Sequence, residues 1–218
     1  MFQEKIIVLK KGIIDYAELV ENMIVKTLDG VLNKNEYSLN HVIENDEAII
    51  NRHEVEFDET CIDYIARYQP VSRNLRMIIS AIKMSNDLER MADHAVNIAQ
   101  SGLFLISQPL IKPLVDIPKM GDITVWMLKD SINSFVNEDI RLAKKVLERD
   151  NEVDNLKVKV IDDLTAIMKN DPKTIDMALK LITIASNLER IADLSTNICE
   201  DVVYLTEGVV IKHNQESV

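Results

Sequence analysis

Little in this sequence would build a sheet or a tight turn. Across 218 residues there are five glycines and five prolines, and the aromatic residues are four phenylalanines, five tyrosines and one tryptophan. So few turn formers and aromatics exclude a many-hairpinned sheet protein and favour long helices joined by short loops. Cysteine is almost absent. Cys61 and Cys199 form no C-x-x-C and no ligand cluster, and they read as two reduced, core or half-buried thiols in a cytoplasmic protein. No stretch approaches the ~20 consecutive apolar residues of a membrane span, and the apolar run Ile6 to Leu9 is too short for a signal peptide. A membrane role is therefore expected only through a partner. Neither common Gly-rich phosphate loop is present. Positive charge is in deficit as well: 25 Lys and Arg against 36 Asp and Glu leave a formal net charge of −11. Such a chain repels phosphate-bearing partners. That excludes nucleic acid as the expected partner and argues against free phosphate or a nucleotide as a direct ligand.

What the chain does have is an internal repeat. Asn86 to Ala99 and Ser186 to Cys199 align without a gap at an offset of one hundred residues. Leu88/Leu188, Glu89/Glu189, Arg90/Arg190, Ala92/Ala192, Asp93/Asp193, Asn97/Asn197 and Ile98/Ile198 are identical pairs. Recurrence at a fixed offset signals a duplicated unit. In the second copy Leu181, Leu188, Ser195 and Val202 fall seven apart, as do Ile184, Ile191, Ile198 and Leu205. The first copy keeps the pattern with Ala81, Leu88, Ala95 and Gly102 against Met84, Met91, Ile98 and Leu105. This is the seam of a helix packed along its length against other helices. Glu89, Asp93 and Asn97, and equally Glu189, Asp193 and Asn197, follow at i, i+4, i+8 and so stack on one side of the helix, off the seam. Arg90 and Arg190 stand three residues before Asp93 and Asp193. Spacing alone leaves two readings open: a solvated acidic face with intrahelical ion pairs, or a set of oxygen ligands for a cation, since acidic pairs on neighbouring helices can converge on a metal.

Read in order, the chain predicts helices over Glu4 to Asn33, Tyr37 to Arg67, and Pro70 to Ile106, with Pro70 in the first turn, where its missing N–H costs nothing. Ser107 to Lys119 holds Pro109, Pro113 and Pro118, a density that makes a stiff connector. The plan then repeats, with a helix over Gly121 to Asn137, a break at Glu138-Asp139, a long helix to Lys169, and a last helix to Thr206. Asp171 is the N-cap and Pro172 the N1 residue of the last one, and Gly208 is its C-cap. Val209 to Val218 reads as a loosely ordered tail. The predicted fold is all-α: two tandem three-helix bundles related by a pseudo-twofold internal repeat, residues 1–107 and 119–207, with a connector at 108–118 and a tail at 208–218. Asp150 and Asp154 on the second middle helix add another acidic pair at i, i+4. In the first half the matching point is read as Asp46 or Glu47. The partner there would be Ile50 or Asn51, so that half carries only part of the acidic constellation.

These motifs resemble the PhoU family, regulators of bacterial phosphate-specific transport. Leu88 to Ala99 and Leu188 to Glu200 carry the likeness most specifically, and Gln69-Pro70 to Leu75-Arg76 and Lys169 to Ile175 add to it. Ala92 and Ala192 stand where the usual members have Gly. The resemblance implies two three-helix bundles and, in some members, multinuclear iron or zinc clusters held on the bundle surface by E(D)-x-x-x-D motifs. Carried to this chain, the ligands would be Glu89, Asp93, Asp150, Asp154, Glu189 and Asp193, with Asn97, Asn197 and Glu200 as accessory ligands. It further implies no catalytic residues and a cytoplasmic adaptor. That adaptor would lie between the ATPase subunit of the phosphate ABC transporter and a sensor histidine kinase, as a negative regulator, with a homodimer as the expected assembly.

Two other readings stand beside this one. A carboxylate-bridged metalloenzyme of the ferritin-like kind needs Glu-x-x-His on facing helices; none of His41, His53, His94 or His213 has a Glu three residues earlier. A metal-free helical scaffold or dimerisation module, serving another transporter, differs from the adaptor only in metal content and partners.

Overall fold

The computed structural model describes residues 2–208. Helix α1 spans Phe2–Leu32, and α2, Glu36–His41, passes through a π-helical stretch, Val42–Asp46, into α3, Glu47–Tyr68. Then follow α4 (Ser72–Ile106), α5 (Asp116–Asn137), α6 (Ile140–Asn170), a single 3-10 turn (Pro172–Thr174) and α7 (Ile175–Glu207). No strand occurs among the described residues. The tail read over 209–218 lies outside them.

Local chemistry sets the boundaries. The side chain of Asn35 caps α2 by accepting from the Ser38 N–H, and that of Asp139 caps α6 by accepting from Arg141 and Leu142. Asp171 accepts from the Lys173 N–H with Pro172 in the first turn, so the expected start is present, although its opening turn is 3-10 in form. Gly208, at φ 73°, closes α7 in the left-handed conformation, which glycine adopts without Cβ strain. Two boundaries differ from expectation. Pro70 lies outside α4: Gln69 turns left-handed, Val71 is extended and Ser72 begins the helix. At the connector, α5 starts at Asp116 and takes in Pro118. A proline within the first turn removes only an N–H that has no intrahelical partner.

The seam residues of both motif helices are buried. Leu188, Ile191, Ser195 and Ile198 are fully enclosed, as are Leu88, Met91, Ala95 and Ile98. Each such aliphatic side chain contributes roughly 1.5–3 kcal/mol by leaving water. Within each half, the third helix (α4 or α7) packs on the first (α1 or α5) and on the middle one (α3 or α6). The halves are joined by α4 against α7 and α1 against α5, and one continuous apolar core runs through both. The two motif helices are antiparallel: Lys83 pairs with Asp201 at 3.0 Å, His94 with Asn187 at 2.9 Å, and the Lys180 ammonium lies over the Phe104 ring. Residue numbers fall on α7 as they rise on α4, so the pseudo-twofold axis passes between Arg90 and Arg190. Gly121 permits the α1–α5 approach, since a Cβ there would come 2.6 Å from Leu28 Cδ1.

Candidate functional site

Each half exposes an acidic ribbon where its middle helix runs antiparallel to its motif helix. On the second half Asp150 and Asp154 from α6 meet Glu189 and Asp193 from α7. Asp150 and Glu189 are half-buried, while Asp154 and Asp193 are exposed. Burial first, then the charges of Asp193, Asp154 and Glu189, push the Asp150 pKa up to about 6. Burial and the charges of Glu189 and Asp154 also raise that of Asp193, with Lys157 and Arg190 opposing. Asp150 Oδ1 is buried with no hydrogen-bond partner. One cation is already present: Lys157 Nζ donates to Glu189 Oε1 at 2.8 Å.

On the first half the partners of Glu89 and Asp93 are Glu54 and Asp58 of α3. Burial raises the pKa of Glu89, helped by Asp93, Glu54 and Glu47. It raises that of Glu54, helped by Asp58 and Asp93, and that of Asp58, against the Ser85 hydroxyl. Beneath them Tyr16 is enclosed and its hydroxyl has no partner. Desolvation, followed by the charges of Glu54, Glu89, Asp58 and Asp93, holds the phenol firmly protonated. Its ring stacks on His53.

The first half therefore has a full acidic constellation, and the reading of Asp46 as the counterpart of Asp150 fails. Asp46 is paired with the Lys26 ammonium of α1 at 2.6 Å and lies 3.1 Å from His41 Nδ1 of α2, partners that no local pattern reveals. Sequence reasoning missed Glu54 and Asp58. The signal was available: the offset of one hundred residues that aligns the motif helices also carries Asp154 onto Glu54, and Glu54 to Asp58 is itself a Glu-x-x-x-Asp pair. Of the accessory residues, Asn197 lines a cleft with Asp193, Asn97 is exposed and Glu200 is half-buried. Arg90 pairs backward with Asp87, at 3.6 Å, and not forward with Asp93, because helical side chains lean toward the N-terminus.

The donor set suits a cation that prefers hard oxygen ligands, and the Oδ1 atom of Asp150 is a buried acceptor with no hydrogen-bond donor. The ribbons are not preassembled cages. Among the described residues, no three Asp, Glu, His or Cys groups are gathered closely enough to hold a metal ion. Neither cysteine is an activated nucleophile. Burial drives the Cys61 and Cys199 thiols up to about 12, which leaves both as inert core groups.

The duplicated helix pair and its ribbons are matched in known proteins. The model of the PhoU domain matches twice, over residues 13–102 and 117–202. The chain belongs to the PhoU family. A "phosphate-specific transport system accessory protein PhoU homolog" of Aquifex aeolicus is 39% identical over 204 residues, covering 94% of this chain and 92% of that protein. The second PhoU homolog of Thermotoga maritima is 32% identical over 212 residues, 97% and 90% of the two chains. Among solved structures, PhoU from Pseudomonas aeruginosa superimposes with a TM-score of 0.91 at 28% identity, over 96% of this chain and all of that one. The fold is thus the PhoU fold over nearly its whole length, and both PhoU repeats carry a ribbon. No described helix is long and apolar enough to cross a membrane.

Proposed function

We propose that this chain is a non-enzymatic regulator of phosphate uptake and phosphate-starvation signalling. In this reading it is a cytoplasmic adaptor between the ATPase subunit of a phosphate ABC transporter and a sensor histidine kinase, and it acts as a negative regulator. The observation that carries the reading is the match of both repeats to a family whose relatives are named as accessory proteins of phosphate-specific transport. The outward faces of long helices provide the contact surfaces, and a homodimer is the proposed assembly. Iron or zinc is the proposed metal, held by Glu54, Asp58, Glu89 and Asp93 on one half and by Asp150, Asp154, Glu189 and Asp193 on the other. Bound there, it would cancel the mutual repulsion of the carboxylates and change the charge that a partner meets. Carboxylate rotation has to close each site, and Lys157 has to leave Glu189.

That last requirement supports a second reading. A ribbon that already contains an ammonium group, with no preassembled ligand set, fits a metal-free helical scaffold or dimerisation module that regulates another transporter.

Capture of tagged protein from cells grown in high and in low phosphate tests the adaptor. Recovery of the phosphate transporter's ATPase subunit and a sensor kinase, with yields that change with phosphate, is the expected result. Recovery of neither at any phosphate level overturns it, and recovery of a different transporter's ATPase selects the scaffold reading.

A further inference from the structure

Where the two copies of the repeat meet, two arginines line a cleft that holds a single carboxylate. Arg90 of α4 and Arg190 of α7 flank the pseudo-twofold axis and line one open cleft of ≈ 360 Å³, together with His94, Asp193 and Asn197. Both guanidinium groups act electrostatically on His94, and the Asp93 carboxylate acts on it with opposite sign. His94 is fixed in place. The Asn187 amide nitrogen donates to the Thr183 carbonyl, so its Oδ1 accepts from His94 Nδ1–H at 2.9 Å.

The arginines are poorly neutralised. The Arg90 ion pair with Asp87 is long, at 3.6 Å, and the Arg90 side chain is 53% exposed. Arg190 has no ion pair among the described residues and only the through-space influence of Asp193, whose carboxylate is already shared with the second ribbon. Two like charges from separate copies of the repeat line this one cleft, and Asp193 is the single carboxylate that lines it with them. Guanidinium groups present planar, paired donors that match the oxygens of a phosphate or sulfate. The net charge of −11 does not oppose this at contact range, because charges beyond ~8–10 Å are largely screened at physiological salt.

We infer that the cleft on the pseudo-twofold axis is a binding site for a small tetrahedral oxyanion, held between Arg90 and Arg190. The Asn197 amide is a further donor in the cleft. Asp193 is the one carboxylate in its lining, and it weakens the site. This reverses, for one locality, the exclusion of free phosphate drawn from overall charge. It needs no metal in either ribbon.

The test is a titration of chelator-treated, metal-free protein with sodium phosphate and with sodium sulfate, against sodium chloride at matched ionic strength, followed by amide chemical shifts. Saturable one-to-one binding of phosphate or sulfate but not chloride is expected, with shifts centred on residues 87–97 and 187–197. Arg90→Gln with Arg190→Gln should weaken it by about tenfold or more, while Asp193→Asn should tighten it several-fold. Far-UV circular dichroism of each variant confirms that the helices persist; these are surface changes. Absence of saturable binding, affinity unchanged in the double variant, or shifts centred elsewhere would overturn the site. Because no metal is present, failure here is separate from failure of the metal reading.

Discussion

At Asp150, burial and three neighbouring carboxylates lift the pKa from 3.8 to about 6. The consequence for stability has a definite sign. Below about pH 4 the group is protonated in both the folded and the unfolded chain and contributes nothing to their difference. Between pH 4 and 6 the unfolded chain releases the proton and the folded chain retains it. Folding therefore binds protons, and stability falls as pH rises through that window. In metal-free protein, Asp150→Asn should raise stability at pH 7 by about 1–2 kcal/mol, allowing for solvent screening of a half-exposed group. The gain should vanish near pH 4, as followed by urea denaturation at a series of pH values. A destabilised variant at pH 7 would show that the carboxylate has a partner not recognised here. Residue by residue, the sequence told which acids lie off the seam but not which of them meet. Glu89 and Glu189 were legible from their helical spacing. Glu54 and Asp58 were hidden because Asp46 and Glu47 stand near the expected point of the same half, and because the partners that engage Asp46 come from other elements.

At the scale of the helix, period decides burial. The seam inferred from seven-residue spacing is the enclosed face of both α4 and α7, and the carboxylates one step around the cylinder stay accessible. Leu188 shows no exposed surface. Leu188→Asp should cost more than about 4 kcal/mol, from lost burial together with an unpaired acid in the core. That is a large share of the 5–15 kcal/mol typical of a domain, so the helical signal should be lost at room temperature or at a much lower melting temperature. Native-like melting would show that the seam was misplaced. Helix existence was readable from apolar periodicity, and the start of the last helix was readable from its side-chain cap at Asp171. Ends were misread where a proline was taken as a rule: Pro70 sits before its helix and Pro118 inside one. The π-helical stretch Val42–Asp46 has no composition signal, since it depends on how α2 and α3 settle against α1 and α4.

Over the whole molecule, duplication does two things. It packs two like helices antiparallel through a shared core, and it repeats an acidic ribbon on each half while bringing two arginines together on the axis between them. The repeat itself was plain in the sequence, and so was the absence of sheet. The joining of the halves into one core was not, because the identical pairs at Leu88/Leu188 and their neighbours say that two units are alike without saying how they meet. The ribbons also differ in a way that only tertiary contacts reveal: Lys157 pairs with Glu189 in the second, and among the described residues no lysine ion pair with Glu54, Asp58, Glu89 or Asp93 occurs in the first. Metal content and folding measured together test this account most directly. Protein loaded with iron or zinc should retain metal on both halves. Glu54→Ala with Asp58→Ala should remove the share of the first half, and Glu189→Ala with Asp193→Ala that of the second, each with its helical circular dichroism intact and its melting temperature within a few degrees of the parent. Metal content unchanged in both variants, or collapse of the fold in either, would contradict the claim that these carboxylates form accessible cation sites beside the packing seams.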